Sequence, residues 1–209
     1  MKIVLLNGSP KLHGSTSGLL LAELQQYLQK SAVQVICMHR EKPETVDQLV
    51  AADCLVFACP LYVDALPSHL LRCLEVLEPV LRQNGQSRNV YGIVNSGFFE
   101  AQQNRLALRL LQNWCVRAHQ KWGGGIGVGG GGMIPSIQAV PVGRGSRKSI
   151  SLALRTLAHH IETAREAPDI FVSPNFPRSL YRLAAQAGWR QQLRKNGRKA
   201  SDIGRRLWP

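Results

Sequence analysis

The sequence predicts a doubly wound α/β fold, a three-layer arrangement in which a five-stranded parallel sheet lies between two layers of helices. Two observations predict it. Short apolar segments typical of strands alternate with segments of helical periodicity, and the first strand is followed by a turn-rich loop that leads into a helix. Since alternating strands and helices are joined by right-handed crossovers, the strands should pair in parallel. The 209 residues, 44% of them apolar, suffice for one sizeable core.

The elements follow one another in a regular order. Residues 2–6 (KIVLL) are almost wholly apolar and rich in β-branched side chains, as expected of a central strand covered on both faces. Pro67 can open a helix at its first turn. The predicted strands are 2–6, 32–38, 54–59, 89–94 and 122–128, and the predicted helices are 16–28, 45–52, 67–82, 101–119 and 149–165.

The composition changes after Pro168, so we predict a core domain of residues 1–168 and a basic, helical extension of residues 169–209 packed on the core. The chain carries a formal charge of +13, and from Arg178 to Pro209 nine Lys and Arg face the single Asp202. This segment therefore holds +8, which leaves +5 for the 177 residues before it. A basic surface favours phosphate-bearing ligands, nucleic acid or an anionic membrane. A solvated face packed on its own core or on a second subunit is the simpler interpretation, and we adopt it.

Other bulk features exclude several classes. The five cysteines form no C-x-x-C pair, which argues against a disulfide framework and a zinc site, and we expect no metal. No window approaches eighteen apolar residues, and the N-terminus lacks a small-residue cleavage site. A cytoplasmic protein is expected.

The loop after the first strand has the composition of a phosphate site. In doubly wound sheets, ligands bind beyond the carboxyl ends of the strands, where the strand order reverses. The loop offers hydroxyls, a cation, glycines that let an anion approach the backbone, and the start of a helix; the candidate residues are Ser9, Lys11, Gly14, Ser15, Thr16 and Ser17. A Walker A loop is excluded because no Lys precedes the Ser-Thr pair, and the dinucleotide fingerprint G-x-G-x-x-G is absent here. The alternative, in which Ser and Thr only cap the helix, explains one or two of these residues.

Four segments resemble one known family. The loop LNGSPKLHGSTSGLL looks like the FMN phosphate loop of the NADPH-dependent FMN reductases and flavodoxin-like NAD(P)H oxidoreductases. ACPLYVDALPSHLLRCLE and VNSGFFEAQQN are similar to the two loops that contact the isoalloxazine ring in that family. The tail NFPRSLYRLAAQAGWRQQLRKNG resembles an extension found in some of its members, whereas the iron–sulfur cluster motif of another branch is missing.

The resemblance implies a flavodoxin-like fold and a flavoprotein that holds FMN. The ring contacts it implies are Pro60, Leu61, Tyr62, Val63, Asn95, Ser96 and Gly97, with backbone amides favoured over side chains as the polar contacts. Phe98 and Phe99 would line the open face for substrate, or pack between subunits. Since the flavin carries the chemistry, no catalytic side chain is required.

The activity implied by the resemblance is hydride transfer from NAD(P)H to FMN and on to a small acceptor such as a quinone or a flavin. Two alternatives stay open: an electron-carrying flavodoxin, and a flavodoxin-like scaffold that binds an anionic partner through its basic tail. A homo-oligomer, dimer or tetramer, is expected on family grounds. The run WGGGIGVGGGGMIP contains G-x-G-x-x-G, but neither a following helix nor an acidic residue is expected there, so we predict a tight strand end and a mobile loop.

Overall fold

A computed structural model describes residues 1–38 and 44–204 of the chain. It divides into two units, Met1–Asn175 and Phe176–Pro209. The predicted tail residues Arg205, Arg206 and Trp208 lie outside the described part.

The first unit is built on one parallel sheet with the strand order β2-β1-β3-β4-β5-β6. The strands are β1 (Lys2–Asn7), β2 (Ala32–Cys37), β3 (Cys54–Pro60), β4 (Asn89–Asn95), β5 (Lys121–Val128) and β6 (Ile170–Val172).

The prediction of five strands is wrong, because β6 adds a sixth. It pairs with β5 from Ile126 opposite Ile170 to Val128 opposite Val172. Its three residues, Ile170 to Val172, are apolar and half-buried, but three residues between two prolines are too few to mark a strand in sequence. It begins two residues beyond the boundary predicted for the core.

Five helices cover the two faces of the sheet. They are α1 (Thr16–Tyr27), α2 (Glu44–Val50), α3 (Ser68–Asn84), α4 (Arg105–Arg117) and α5 (Lys148–Glu162). Apolar residues of α2, α3 and α4 form one core with alternate strand residues such as Leu6 and Phe57. Those of α1 and α5 form the other core with the intervening residues, such as Leu5 and Val56. The predicted three-layer parallel α/β fold is thus confirmed.

The strand order reverses between β1 and β3, since β2 lies on one side of β1 and all later strands lie on the other. The loops that leave these two strands therefore diverge to opposite faces and leave a crevice at their carboxyl ends. This is the position predicted for the ligand.

Four of the eight glycines of the run lie inside β5, and the other four follow it. A Cβ on Gly123 would stand 2.3 Å from the Tyr91 ring, and Gly124 has a φ of +109°. A 3₁₀-helix, Gly131–Ile137, follows the strand. The glycines thus let an aromatic ring and neighbouring backbone pack directly against the strand.

Two buried arginines fix loops to the sheet. Arg88, 1% exposed at the start of β4, donates hydrogen bonds to carbonyl oxygens of Ala52, Val50 and Gln86 and to the Asn84 side chain. Arg147 forms a buried ion pair with Glu23 of α1; it also donates to the backbone oxygens of Gln138 and Val140, at 3.2 and 3.1 Å. The second cluster ties the segment after β5 to the first helix.

The second unit contains α6 (Arg178–Lys195) and a short 3₁₀-helix, Ala200–Gly204. None of the residues of this helix is buried. Its packing on the core stays a prediction. In residues 1–38 and 44–204, no helix is long and apolar enough to cross a membrane.

Candidate functional site

The site lies at the crevice between β1 and β3. The Gly8 amide donates to the backbone oxygen of Ala58 at 2.7 Å, so the two strand ends are joined directly. A Cβ on Gly8 would stand 3.0 Å from a Leu70 methyl group and 3.3 Å from the Cys59 Cβ. Glycine therefore lets the first loop leave the sheet close to α3.

Asn7, the last residue of β1, organises the first loop. Its Oδ1 accepts from the Ser9 amide at 3.1 Å, and its Nδ2 donates to Ser15 Oγ at 3.2 Å. Ser15 Oγ also accepts from the Gly18 amide at 3.1 Å, as the N-cap of α1. One amide thereby holds both ends of the loop, and residues 10–14 between them are exposed.

The loop hydroxyls differ in what they can still donate. Ser15 Oγ accepts two bonds, so its remaining capacity is that of a donor. Ser17 Oγ accepts from Asn95 Nδ2 at 2.8 Å and Ser9 Oγ accepts from the Lys11 amide at 3.3 Å, which leaves both of their protons uncommitted. Thr16 Oγ1 donates its proton to the Gly131 oxygen at 3.0 Å. Thr16 therefore anchors the loop to the segment after β5, while the three serines keep O–H donors.

The start of α1 adds backbone donors. Helix geometry leaves the amides of Thr16 and Ser17 without an intrahelical acceptor, and Ser15 satisfies only that of Gly18. The Lys11 side chain is exposed, and no carboxylate of the described chain pairs with it. Gly14 has a φ of +63°, which turns the chain into the helix. Converging N–H and O–H donors with a nearby cation are the features that a phosphate monoester needs.

The loop after β3 forms a tight turn. Tyr62 and Ala65 exchange two backbone hydrogen bonds of 3.0 Å. Between them, Val63 and Asp64 have φ values of +49° and +57°, as in a type I′ turn. Val63 is 99% exposed and Tyr62 is 45% exposed. The turn thus holds a β-branched side chain in a strained conformation, directed into solvent, beside the crevice.

The loop after β4 is tied to the other two. Asn95 Nδ2 donates both to Ser17 Oγ and, at 3.0 Å, to the Cys59 backbone oxygen. The Asn95 backbone oxygen accepts from the Leu61 amide at 2.8 Å. Three predicted site residues, Ser17, Leu61 and Asn95, are therefore brought together at the ends of β1, β3 and β4.

Ser96 and the residues after it face the segment that follows β5. The Ser96 amide donates to the Val128 oxygen at 3.0 Å, and the Ser96 oxygen accepts from Gly131 at 2.7 Å. The backbone amide of Ser96, one of the amides predicted to contact the ring, is thus already hydrogen-bonded within the protein. Ser96 is only 4% exposed, and its Oγ has no hydrogen-bond partner among the described atoms. Phe98 is 56% exposed, and Phe99 is half-buried with its backbone oxygen accepting from Ser173 Oγ.

Sequence reasoning missed two residues of this arrangement. Asn7 was visible as an Asn at a strand end before Gly-Ser, a position where Asn commonly bonds to the following backbone. His69, whose Nε2 lies 3.0 Å from the Gly8 oxygen, gave no signal because 61 residues separate the two.

Burial limits the reactivity of the cysteine beside the crevice. Burial raises the pKa of Cys59 to about 12, so this thiol beside Pro60 is neutral. Within the described residues, no group of three His, Cys, Asp or Glu side chains is placed to hold a metal ion.

Solved structures share this architecture at low sequence identity. An NADH:FMN oxidoreductase matches with a TM-score of 0.60 and 18% identity, over 79% of this chain and 90% of its own. An NADPH-quinone reductase from P. pentosaceus matches with a TM-score of 0.55 and 11% identity, over 76% and 98%. A Streptococcus pneumonia TIGR4 flavodoxin matches with a TM-score of 0.57 and 11% identity, over 78% and 99%. No protein-family model matches the sequence, and no curated protein matches it significantly. These likenesses show that the chain has a flavodoxin-like fold.

Proposed function

We propose that this chain is an FMN-dependent oxidoreductase that passes hydride from NAD(P)H through FMN to a small acceptor such as a quinone or a flavin. The observation that carries the proposal is the donor set of the first loop. Three serine hydroxyls with uncommitted protons, two free amides at the start of α1 and the exposed Lys11 lie in one short loop at the switch point. They fit a terminal phosphate monoester.

The other two loops would hold the ring. Pro60 to Val63 would line one side of it, and Asn95 to Gly97 would face its polar rim. The buried, unpartnered Ser96 hydroxyl fits this assignment, because a buried hydroxyl without a partner is costly and a ring carbonyl or nitrogen would satisfy it. Bound FMN supplies two-electron chemistry between a nicotinamide and an acceptor.

The chain's own residues would position the reactants. Asn7 holds the two ends of the first loop, and Asn95 links the three loops, so the phosphate and ring sites would be shaped before FMN binds. The exposed Phe98 would cover the open face, where a nicotinamide or a flat acceptor stacks. Two of the structural neighbours, an NADH:FMN oxidoreductase and an NADPH-quinone reductase, support the same reaction class.

The test begins with the absorbance spectrum of the purified protein. We expect a flavin spectrum, or its appearance on reconstitution with FMN, release of FMN on denaturation, and bleaching by NADPH or NADH without oxygen. A protein that takes up no FMN would refute the proposal. Flavin that is bound but is reduced only by a partner reductase would favour the electron-carrier alternative.

Two variants test the phosphate loop itself. Lys11→Gln should weaken FMN binding about tenfold, as for loss of one charge-assisted contact. It should leave riboflavin binding unchanged, because riboflavin lacks the phosphate. Lys121→Gln makes the same charge change at the first residue of β5, at the end of the sheet where the strands begin. It should change the affinity for neither FMN nor riboflavin. Equal effects of Lys11→Gln on FMN and riboflavin would contradict the assignment.

A further inference from the structure

Two adjoining cavities lie beside α4, outside the loops assigned to FMN. The larger, about 410 Å³, is lined by Arg105, Leu106, Arg109, Gln112, Asp169 and Phe171. The second, about 370 Å³, shares Arg105 and Leu106 and reaches Asp64. Together they form a groove, the α4 groove, that runs from the Tyr62–Ala65 turn to the edge of the sheet at β6. Each part lies within the range of small-molecule sites, roughly 300–1,000 Å³.

Two guanidinium groups, those of Arg105 and Arg109, line the α4 groove, which Asp64 and Asp169 also line, and Arg109 interacts electrostatically with Asp169. Arg105 and Arg109 are four residues apart, so both guanidinium groups lie on one face of the helix. Both side chains are exposed, and neither has a carboxylate within 4.0 Å in the described chain. Two guanidinium groups one turn apart fit phosphate oxygens, which accept their planar donors in pairs.

The opposite wall differs in chemistry. Asp169 Oδ1 accepts from the Gly125 amide at 2.9 Å and from Trp122 Nε1 at 3.3 Å, so the carboxyl group is fixed in place. Burial raises the pKa of Asp169. Two residues further on, Phe171 offers an aromatic surface, and Leu106 lies on the helix side. This wall therefore presents an oxygen for a hydroxyl or amino group and an apolar surface for a ring.

We propose that the α4 groove binds the phosphorylated adenosine end of the nicotinamide cosubstrate, with phosphate on Arg105 and Arg109 and the nucleoside against Asp169 and Phe171. The inference rests on the proposed function, since the groove opens at the turn that would line the ring. A ligand that reaches from the crevice into the groove has its reactive end at the flavin and its phosphates one helical turn along α4. An uncharged electron acceptor in the groove would make no ion pair with Arg105 or Arg109, so the phosphates of the cosubstrate fit the groove better.

The test measures binding directly, so it needs neither bound flavin nor turnover. Titration calorimetry with 2′,5′-ADP should detect binding to the wild-type chain and a loss of tenfold or more in Arg105→Gln/Arg109→Gln. Arg82→Gln makes the same type of charge change on the last turn of α3, at the end of the sheet where the strands begin. This variant should bind 2′,5′-ADP like the wild type. FMN affinity should be the same in all variants. If turnover is measured, the variants should raise KM for NADPH but not for reduced nicotinamide mononucleotide, which lacks the adenosine end.

Several outcomes would overturn the inference without touching the FMN proposal. These are no binding of 2′,5′-ADP, equal binding by wild type and the double variant, or equally tight binding of inorganic phosphate, which would make the groove a simple anion site. Failure of FMN binding with intact, arginine-dependent 2′,5′-ADP binding would instead refute the proposed function alone. If the double variant does not fold, hydrogen exchange of the wild-type protein with and without 2′,5′-ADP tests the site instead. Protection by 2′,5′-ADP should appear at residues 105–112, and protection only at the first loop would refute the groove.

Discussion

The strained turn at Val63 allows a test of the geometry beside the crevice. Replacing Val63 by Gly should stabilise the protein, because a left-handed conformation costs a residue with a Cβ about 1–2 kcal/mol. The side chain is 99% exposed, so almost no packing is lost. Glycine adds conformational entropy to the unfolded chain, which offsets about 0.4–1 kcal/mol. The net gain should be about 0.5–1 kcal/mol.

Urea unfolding and thermal melts measure this gain, which corresponds to a rise in Tm of about 1–4 °C for a chain of this length. Val142→Gly is the matched control, since Val142 lies in a loop and is not among the residues with positive φ. With no strain to relieve, that change should destabilise by about 0.4–1 kcal/mol.

Equal losses of stability in Val63→Gly and Val142→Gly would refute the strained turn. The two readouts at Val63 should also diverge. If this residue contacts the ring, its removal raises Tm and at the same time weakens FMN binding. The strained backbone of this exposed valine would then be explained by its contact with the flavin, since the fold itself does not need it.

Four further predictions concern other parts of the core. Asn7→Ala should lower the free energy of unfolding in urea by about 1–3 kcal/mol, because it leaves the buried Ser9 amide without its acceptor. It should also weaken the binding of FMN more than that of riboflavin, and equal weakening would contradict its role in the phosphate loop. Arg147→Met should cost about 3–5 kcal/mol, since it leaves the Glu23 carboxylate buried without a counter-charge, and adding Glu23→Leu should recover most of the loss. Additive losses would argue against the pair. Native thiol titration should show one fast thiol, lost in Cys37→Ser, because Cys37 is the exposed cysteine; a second fast thiol would contradict the burial of the others. Asp169→Asn should match the wild type at low pH and become the more stable protein as pH rises from the ordinary Asp pKa towards the raised pKa of the folded state, because ionisation is disfavoured in the folded state. The difference should stay level at higher pH, and a pH-independent difference would contradict the prediction.

Local pattern was sufficient for most of the fold. Each of the first five strands is an apolar run, and each helix of the core has an apolar stripe, so burial on both faces of the sheet could be anticipated. β6 could not, because three half-buried residues carry no periodicity and are held by pairing with β5. Its existence depends on tertiary contacts, which a local pattern does not record.

The candidate site was predictable in position more than in detail. The strand-end rule placed the loops after β1, β3 and β4 at one edge, and the structure brings them together. The hydrogen-bonding role of each hydroxyl group could not be predicted from the sequence. Thr16 and Ser17 look equivalent there, yet one donates to Gly131 and the other accepts from Asn95. Those roles are set by neighbours more than seventy residues away.

The buried amide of Asn95 also makes this edge of the sheet sensitive to a single change of charge. Deamidation would convert it to a carboxylate of nearly the same shape, but the group facing the Cys59 oxygen would become an acceptor opposite an acceptor. Its other partner, Ser17, would have to turn its only proton inward to the new charge. A one-atom lesion at β4 would thus remove a donor from the loop after β1 and loosen the end of β3, so a single hydrolysed amide is enough to disorganise three strand ends.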